Sequence, residues 1–584
     1  MPSRWLTGTS ARFWRPSRPR LSSGPGGATG GATIIAASLA QASYTYLTQP
    51  IFSGLNWEVH DDRVVGLVGP NGSGKSTLLR LIAGELMPLE GVRVVASGLT
   101  IGYLAQEPRF DPQHTVWQEA LGASERVATL DRRLHDVERR LADPAVYSDE
   151  RLLTRALAEQ ERLLVAFEQA GGPSYEGRVR STLIELGLDE STFGLPTPAL
   201  SGGQQKLLGI ARQVIRQPGL LVLDEPDNHL DLAGKAMLER FIRGFKGGVV
   251  VVSHDRYLLD MVADEIVDLE DGRLKRYRGN YSEFVVEKQQ ALLRQQTLFQ
   301  VQQREITRLE QSAKRLMMWG QVYDNAKFSR RGQAIMKRLD KIERIERPTL
   351  ERRRMGLRLE GWRGSSKVLE LQGIAKAFEA DEGENRVLED VNLLVWHGER
   401  VGLVGPNGAG KSVLFRIIRG QEAPSAGTVY IGPSVVAGYY AQQHETLDGD
   451  LTLFDTLARQ ANLPESPAMA HLNRFMFTYE QARSPVRTLS GGERSRLQMA
   501  LLMLGGANLL LLDEPTNNLD IASAEVLEDA LEDFNGTVLV ISHDRYFLDR
   551  VADRVVELDG GCLTEFIGGY SDYESARIGQ GVGR

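Results

Sequence analysis

The chain has 584 residues, too many for one hydrophobic core and suited to roughly two to four domains. Hydrophobic residues make up 42% and charged residues 25%, the net charge is −7, and the single cysteine, Cys562, excludes an intrachain disulfide framework. No apolar run approaches the ~18 residues of a membrane-spanning helix, so any work at a membrane would go through a partner.

Residues 1–57 hold five arginines and no acid. Residues 1–32, rich in Arg, Ser, Gly and Pro, read as a disordered tail, with a basic organelle-import peptide as the alternative. They lack the apolar stretch of a secretory signal, so the expected compartment is the cytoplasm, or an organelle if the tail is an import peptide. The apolar run Val64–Val68 then leads into GPNGSGKST, from Gly69 to Thr77, and a helix is expected over Leu78–Ile82. Further on come Gln106 in YLAQEP, Ser201 in LSGG, Asp224 closing the apolar run LLVLD, and His254 in SHDRY.

The same landmarks recur as GPNGAGKSV from Gly405 to Val413, Gln442, Ser490, Asp513 and His543. Three of the four intervals agree to the residue, and the whole excess of the first copy falls between Gln106 and Ser201. The chain is therefore two copies of one domain, expected over 33–286 and 367–580, the first with a charged helical insertion at about 115–190. Asp143-Pro144 breaks that insertion into a hairpin. Strands alternating with helices make each copy an α/β layer, with buried strands expected at Leu220–Leu223, Leu509–Leu512, Gly248–Val252 and Thr537–Ile541 and further helices starting at Leu414–Ile418.

Residues 287–366 form a charged helical linker. Its 287–348 portion carries fourteen Lys and Arg against seven Asp and Glu, although the rest of the chain is acidic. Leu292, Phe299, Ile306 and Leu309 share one helical face, and Ile335, Leu339, Ile342 and Ile345 another, which predicts an antiparallel hairpin turning near Trp319–Ser329 and ending at Pro348. Local basic charge of this kind suits contact with a polyanion. Trp319 and Tyr323 near the tip suit either nucleotide stacking or local packing.

Both glycine-rich loops fit G-x-x-x-x-G-K-[ST] between a strand and a helix. In the first, Gly69, Pro70, Asn71, Gly72, Ser73, Gly74, Lys75, Ser76 and Thr77 curl so that backbone N–H groups face phosphates; in the second, Gly405, Pro406, Asn407, Gly408, Ala409, Gly410, Lys411, Ser412 and Val413 do so. Lys75 and Lys411 suit β- and γ-phosphate oxygens, and Ser76 and Ser412 suit Mg²⁺. Asp224 and Asp513, at the carboxyl ends of buried strands, suit the Mg²⁺ shell, with Gln106 and Gln442 reaching the metal or the attacking water. Glu225 and Glu514 suit a general base or water positioner, and His254 and His543 a γ-phosphate contact.

With LSGGQQ and LSGGER, these motifs resemble the ATP-binding cassette superfamily over about 33–286 and 367–580. The resemblance implies ATP hydrolysis with Mg²⁺ at two sites, each built from both copies in head-to-tail pairing within a monomer. Ser490, Gly491 and Gly492 would close the first site, and Ser201, Gly202 and Gly203 the second. Adenine-stacking aromatics would fall at Tyr44, with Tyr46 beside it, and at Phe378. EPDNHLD, SHDRYLLD, SHDRYFLD and RGNYSEF, with the charged linker, are similar to the ABC-F group. That implies a ribosome-binding ATPase whose linker approaches rRNA and tRNA, acting in translation regulation or in antibiotic resistance by ribosome protection. The alternative is the ATPase component of an ABC transporter. Two departures stand out: Asp227 replaces a threonine, and Val413 replaces a hydroxyl residue, so unequal sites are expected.

Overall fold

The computed structural model describes residues 34–46, 49–169, 171–322, 326–339, 341, 366–380, 383–440, 447–461, 463–475, 477–489, 491–517, 519–532 and 534–581. The expected tail at 1–32 lies outside them, as do Gln442, Ser490, Tyr323, Ile342, Ile345 and Pro348.

The first copy contributes β1 (Ile35–Tyr46), β2 (Gln49–His60), β3 (Val64–Val68), β4 (Glu90–Val95), β5 (Ile101–Leu104), β6 (Leu220–Asp224), β7 (Gly248–Val252), β8 (Glu265–Glu270) and β9 (Arg273–Arg278). The second contributes β10 (Lys367–Ala380), β11 (Gly383–Trp396), β12 (Arg400–Val404), β13 (Ala426–Ile431), β14 (Ala437–Tyr440), β15 (Leu509–Asp513), β16 (Thr537–Ile541), β17 (Arg554–Asp559) and β18 (Cys562–Ile567). In each copy a six-stranded sheet packs near a three-stranded antiparallel one. The orders are β5-β6-β7-β3-β8-β9 with β2-β1-β4, and β14-β15-β16-β12-β17-β18 with β11-β10-β13. The six-stranded sheets are parallel except for the last strand of each.

The strands that end in functional residues are buried on both faces, which is why they read as unbroken apolar runs: every residue of β6, β7, β15 and β16 is buried. This anchors Asp224 and Asp513 at the carboxyl edge of a rigid sheet. Helices Lys75–Ala83 and Lys411–Ile418 follow the phosphate loops directly, one turn earlier than the apolar pattern begins, because the loop's last glycine serves as N-cap.

Within the expected insertion, the extra element is the pair Glu125–Leu141 and Glu150–Gln169, closed around Leu134, Val137 and Leu163. Asp143 caps a short turn that starts at Pro144, which produces the break. The flanking helices Val116–Leu121 and Tyr175–Glu185 instead join the main core of the first copy.

Helix Tyr281–Val322 runs for 42 residues, about 60 Å. Tyr281 and Phe284 fix its start in the first cassette's core, and Lys288 pairs with Asp268. Further along it meets helix Ala326–Leu339 as the expected antiparallel pair, with Ile306, Ala313 and Leu339 buried. Gly332 permits the close approach: a Cβ there would lie 2.6 Å from Met317. Trp319 packs edge-on against Phe328 with ring centres 6.4 Å apart.

Candidate functional site: two nucleotide cradles in one shared cavity

Each phosphate loop is shaped by glycine. Gly69 and Gly405 have φ of 152° and 149°, and a Cβ on either would lie 2.4 or 2.2 Å from the carbonyl oxygen of Leu269 or Leu558. Gly74 and Gly410, at φ 97° and 98°, cap the following helices and turn their N-termini toward the cavity. Lys75 Nζ donates to the carbonyls of Gly69 and Pro70 at 2.8 and 3.0 Å; Lys411 does the same to Gly405 and Pro406 at 2.8 and 2.9 Å. Burial lowers the pKa of both lysines, against the pull of nearby carboxylates.

Asp224 is fully buried, and its pKa is raised by that burial, with the Ser76 hydroxyl opposing. Both its carboxylate oxygens, and the Ser73 hydroxyl, lack a hydrogen-bond partner among the described residues. A buried, unsatisfied carboxylate beside a serine fits a divalent cation, and a buried, unsatisfied hydroxyl in a glycine-rich loop fits a phosphate. Asp513 is raised in the same way and accepts a long hydrogen bond from Tyr439 Oη at 3.4 Å.

Glu225 and Glu514 both have φ of 49°, a strained value for a residue with a side chain, and their N–H groups bond to Val252 and Ile541 at 2.9 Å. This turn sends each glutamate away from the preceding aspartate. Gln106 Nε2 and Asn228 Nδ2 donate to Glu225 Oε2 at 2.7 and 2.6 Å, and His254 Nε2 lies 3.6 Å from Oε1. Burial pushes the Glu225 carboxyl up, but His254, Gln106 and Lys75 outweigh it and the net shift is down. Glu514 differs: it accepts from the His543 backbone at 3.3 Å, lies 3.5 Å from His543 Nε2, and burial raises its pKa to about 7. Burial also holds His543 neutral, its pKa well below the ordinary imidazole value.

The two copies face each other head to tail. Asn71 N donates to Asp520 Oδ2 at 3.0 Å, and Asn407 N to Asp231 Oδ2 at 3.2 Å, so each phosphate loop touches the loop after the other copy's glutamate. Asn407 Nδ2 also reaches the His229 carbonyl at 3.1 Å. A single cavity of about 880 Å³ results. It is lined by Lys75, Ser76, Gln106, Glu225 and His254 together with Lys411, Ser412, Asp513, Glu514 and His543, and by Ser201, Gly202 and Gly203. Ser201 caps helix Gly202–Ile215 by accepting from Gln204 N, with the Gln204 side chain returning the bond. Gly491 and Gly492 open the matching helix Gly491–Leu504. Thr77 and Val413 line the cavity at matching positions. Tyr44 and Phe378 do not line it; Ile51 and Val387 do, each against the last glycine of its loop.

Several participants escaped the sequence reading. Lys206 is buried and donates to the carbonyls of Gln106 and Glu225, the latter at 3.1 Å. Arg256 binds Glu528 and Arg545 binds Glu239 across the interface. Asp231 with Asp520, Glu239 with Glu528 and Arg256 with Arg545 all recur at the repeat spacing, which was the available signal.

A tandem pair of phosphate-loop cassettes, docked so that each completes the other's cavity, defines an ATP-binding and ATP-hydrolysing machine. Comparison with known proteins agrees. The ABC transporter family model matches residues 52–228 and 388–517, and a second model of that description matches 267–358, across the helical linker. The energy-dependent translational throttle protein EttA of Haemophilus influenzae is 36% identical over 87% of this chain and 89% of its own. ABC transporter F family member 5 of Arabidopsis thaliana is 33% identical over 94% of this chain and 78% of its own. Among solved structures, the RNase-L Inhibitor superposes with a TM-score of 0.56 over 92% of both chains at 20% identity, which establishes the shared tandem fold. The chain belongs to the ATP-binding cassette family, in its ABC-F group, and is an ATP hydrolase. Among the described residues no helix is long and apolar enough to cross a membrane.

Proposed function

We propose that the protein is a ribosome-associated ATPase that couples the closing and opening of its cassettes to translation. The observation that carries this reading is the linker. It is a long helical pair, anchored at one end in the first cassette, with a twofold excess of basic over acidic residues in 287–348. Phosphate neutralisation dominates binding to RNA, so this segment suits contact with rRNA and tRNA. The naming of a relative as a translational throttle supports the same direction.

At the first site Lys75 and the loop N–H groups would hold the ATP phosphates, and Ser76, Asp224 and Gln106 would hold Mg²⁺. Glu225 would orient and deprotonate water, with His254 suited to contact the γ-phosphate and Ser490, Gly491 and Gly492 to close the site. At the second, Lys411, Ser412, Asp513, Gln442, Glu514 and His543 would take these roles, and Ser201, Gly202 and Gly203 would close it. Mg²⁺ supplies charge neutralisation on the phosphate oxygens. Such binding would serve translation regulation or antibiotic resistance by ribosome protection.

Sedimentation of the full chain with ATP, against purified ribosomes and against membrane vesicles, tests this. ATP-dependent recovery with ribosomes is expected. Recovery with vesicles alone would favour the ATPase component of a transporter.

A further inference from the structure

The interface between the cassettes is close to two-fold symmetric. Asn71 meets Asp520 as Asn407 meets Asp231. Arg256 pairs with Glu528 and lies 4.1 Å from the centre of the Tyr546 ring, while Arg545 pairs with Glu239 and lies 4.5 Å from that of Tyr257. One buried contact breaks the symmetry. Lys235, in helix Leu232–Gly244 of the first cassette, crosses to the second and donates to the backbone carbonyl of His543 at 2.9 Å. At the corresponding position the second cassette carries Ala524, so His254 has no such partner from that residue.

Lys235 is only 8% exposed, and it does not stand alone. Asp255 Oδ2 lies 2.9 Å from its ammonium, Asp227 adds a second buried carboxylate on the same cassette, and Asp544 faces it from the other. Asp255 has the counterpart Asp544, but Asp227 corresponds to Thr516. The departures at Asp227 and Lys235 fall in one buried cluster: Asp255 is the direct ion-pair partner of the lysine, and the Asp227 carboxylate acts on it through its charge. A lone buried ammonium would be costly; this one is paired on its own cassette and spends a remaining donor across the interface.

What the donor grips matters. The His543 N–H bonds to Glu514 Oε2 at 3.3 Å, and the His543 ring lies 3.5 Å from Glu514 Oε1. Lys235 thus restrains the residue whose backbone and ring both address Glu514, and it does so only while the cassettes are docked. We propose that Lys235, held by its ion pair with Asp255, is a positioning residue that acts from the first cassette to hold His543 and Glu514 in register for hydrolysis at the second site. The first site lacks this brace. The proposal rests on the reading of His543 and Glu514 as second-site residues.

The test uses Asp227→Thr with Lys235→Ala, the pair that the second cassette already carries, so the change is neutral in charge and fits the fold. It is made in full-length protein whose first site is silenced by Glu225→Gln, and separately where the second is silenced by Glu514→Gln. With Glu225→Gln, kcat should fall about fivefold or more with KM little changed, the rate equivalent of one lost hydrogen bond. With Glu514→Gln, turnover should stay within about twofold, and the thermal midpoint of the double exchange should stay near its parent. Lys235→Ala alone should be worse than the double exchange, because it leaves Asp227 and Asp255 uncompensated. Equal loss in both backgrounds, or loss in neither, would overturn the proposal. If adding Glu514→Gln to Glu225→Gln removes no activity, the second-site assignment itself has failed, which is a separate result.

Discussion

Arg545 of the second cassette donates to Glu239 of the first at 2.7 Å, with the arginine 2% exposed and also bonded to the Leu232 carbonyl. Its symmetry mate is Arg256 on Glu528. These paired guanidiniums fix the docking that brings the two phosphate loops into one cavity. Burial raises the Glu239 carboxyl to about 6 despite Arg545, so the pair is costly to assemble and costlier to break. Glu239→Ala should therefore weaken the docked arrangement by about 3–5 kcal/mol, the usual penalty of an orphaned buried charge. Fluorescence energy transfer between labels on the two cassettes reads this in ATP. Unchanged transfer would show that docking does not depend on the pair.

The phosphate loops differ at two hydroxyl positions, Ser73 against Ala409 and Thr77 against Val413. Val413 packs against the core of the second cassette and lines the cavity where the first has Thr77. A hydrogen bond to a charged oxygen contributes about 1.5–3 kcal/mol when desolvated. Val413→Thr should tighten ATP binding several-fold in a Lys75→Ala background and leave it unchanged in a Lys411→Ala background. Equal affinities with and without the exchange in both would make the valine neutral.

Glu514 predicts a pH signature. Burial raises its carboxyl from 4.5 to about 7, so between those values the folded protein keeps a proton that the unfolded chain has released. Its favourable contribution is complete below 4.5 and is lost as pH rises through about 7. Glu514→Gln never ionises, so its thermal midpoint relative to wild type should climb from about pH 5 to pH 8. A constant difference across that range would place Glu514 in a wetter setting.

The repeat made most of this architecture legible, because residues that serve the same chemistry in both copies must recur at one spacing. Lys75, Ser76, Gln106, Glu225 and His254 line one cavity with Lys411, Ser412, Asp513, Glu514 and His543, though far apart in the chain. The periodicity of Leu292, Phe299, Ile306 and Leu309 matched a helix in which Ile306 is buried. Docking was harder to read. Arg256 and Glu528 look like ordinary surface charges until two folded cassettes meet, and Lys235 has no repeat partner to flag it. The left-handed turn at Glu225 and Glu514 follows from tertiary packing, since glutamate has no local preference for it.

The linker's charge should matter more to its partner than to the cassettes. Replacing Lys327, Arg330 and Arg331 with alanine on helix Ala326–Leu339 should reduce ribosome-stimulated ATPase more than basal ATPase and flatten the salt dependence of ribosome binding. Equal loss of both activities would mean that these residues chiefly support the fold.

The most direct measurement is on the protein carrying both Glu225→Gln and Glu514→Gln. ATP hydrolysis and retention on ribosomes are followed together. ATP should still bind, hydrolysis should fall roughly 10²–10⁴-fold, the usual worth of a general base, and the protein should stay on ribosomes in ATP. Hydrolysis near the wild-type rate, or release from ribosomes as fast as wild type, would contradict a translation ATPase driven by these two glutamates.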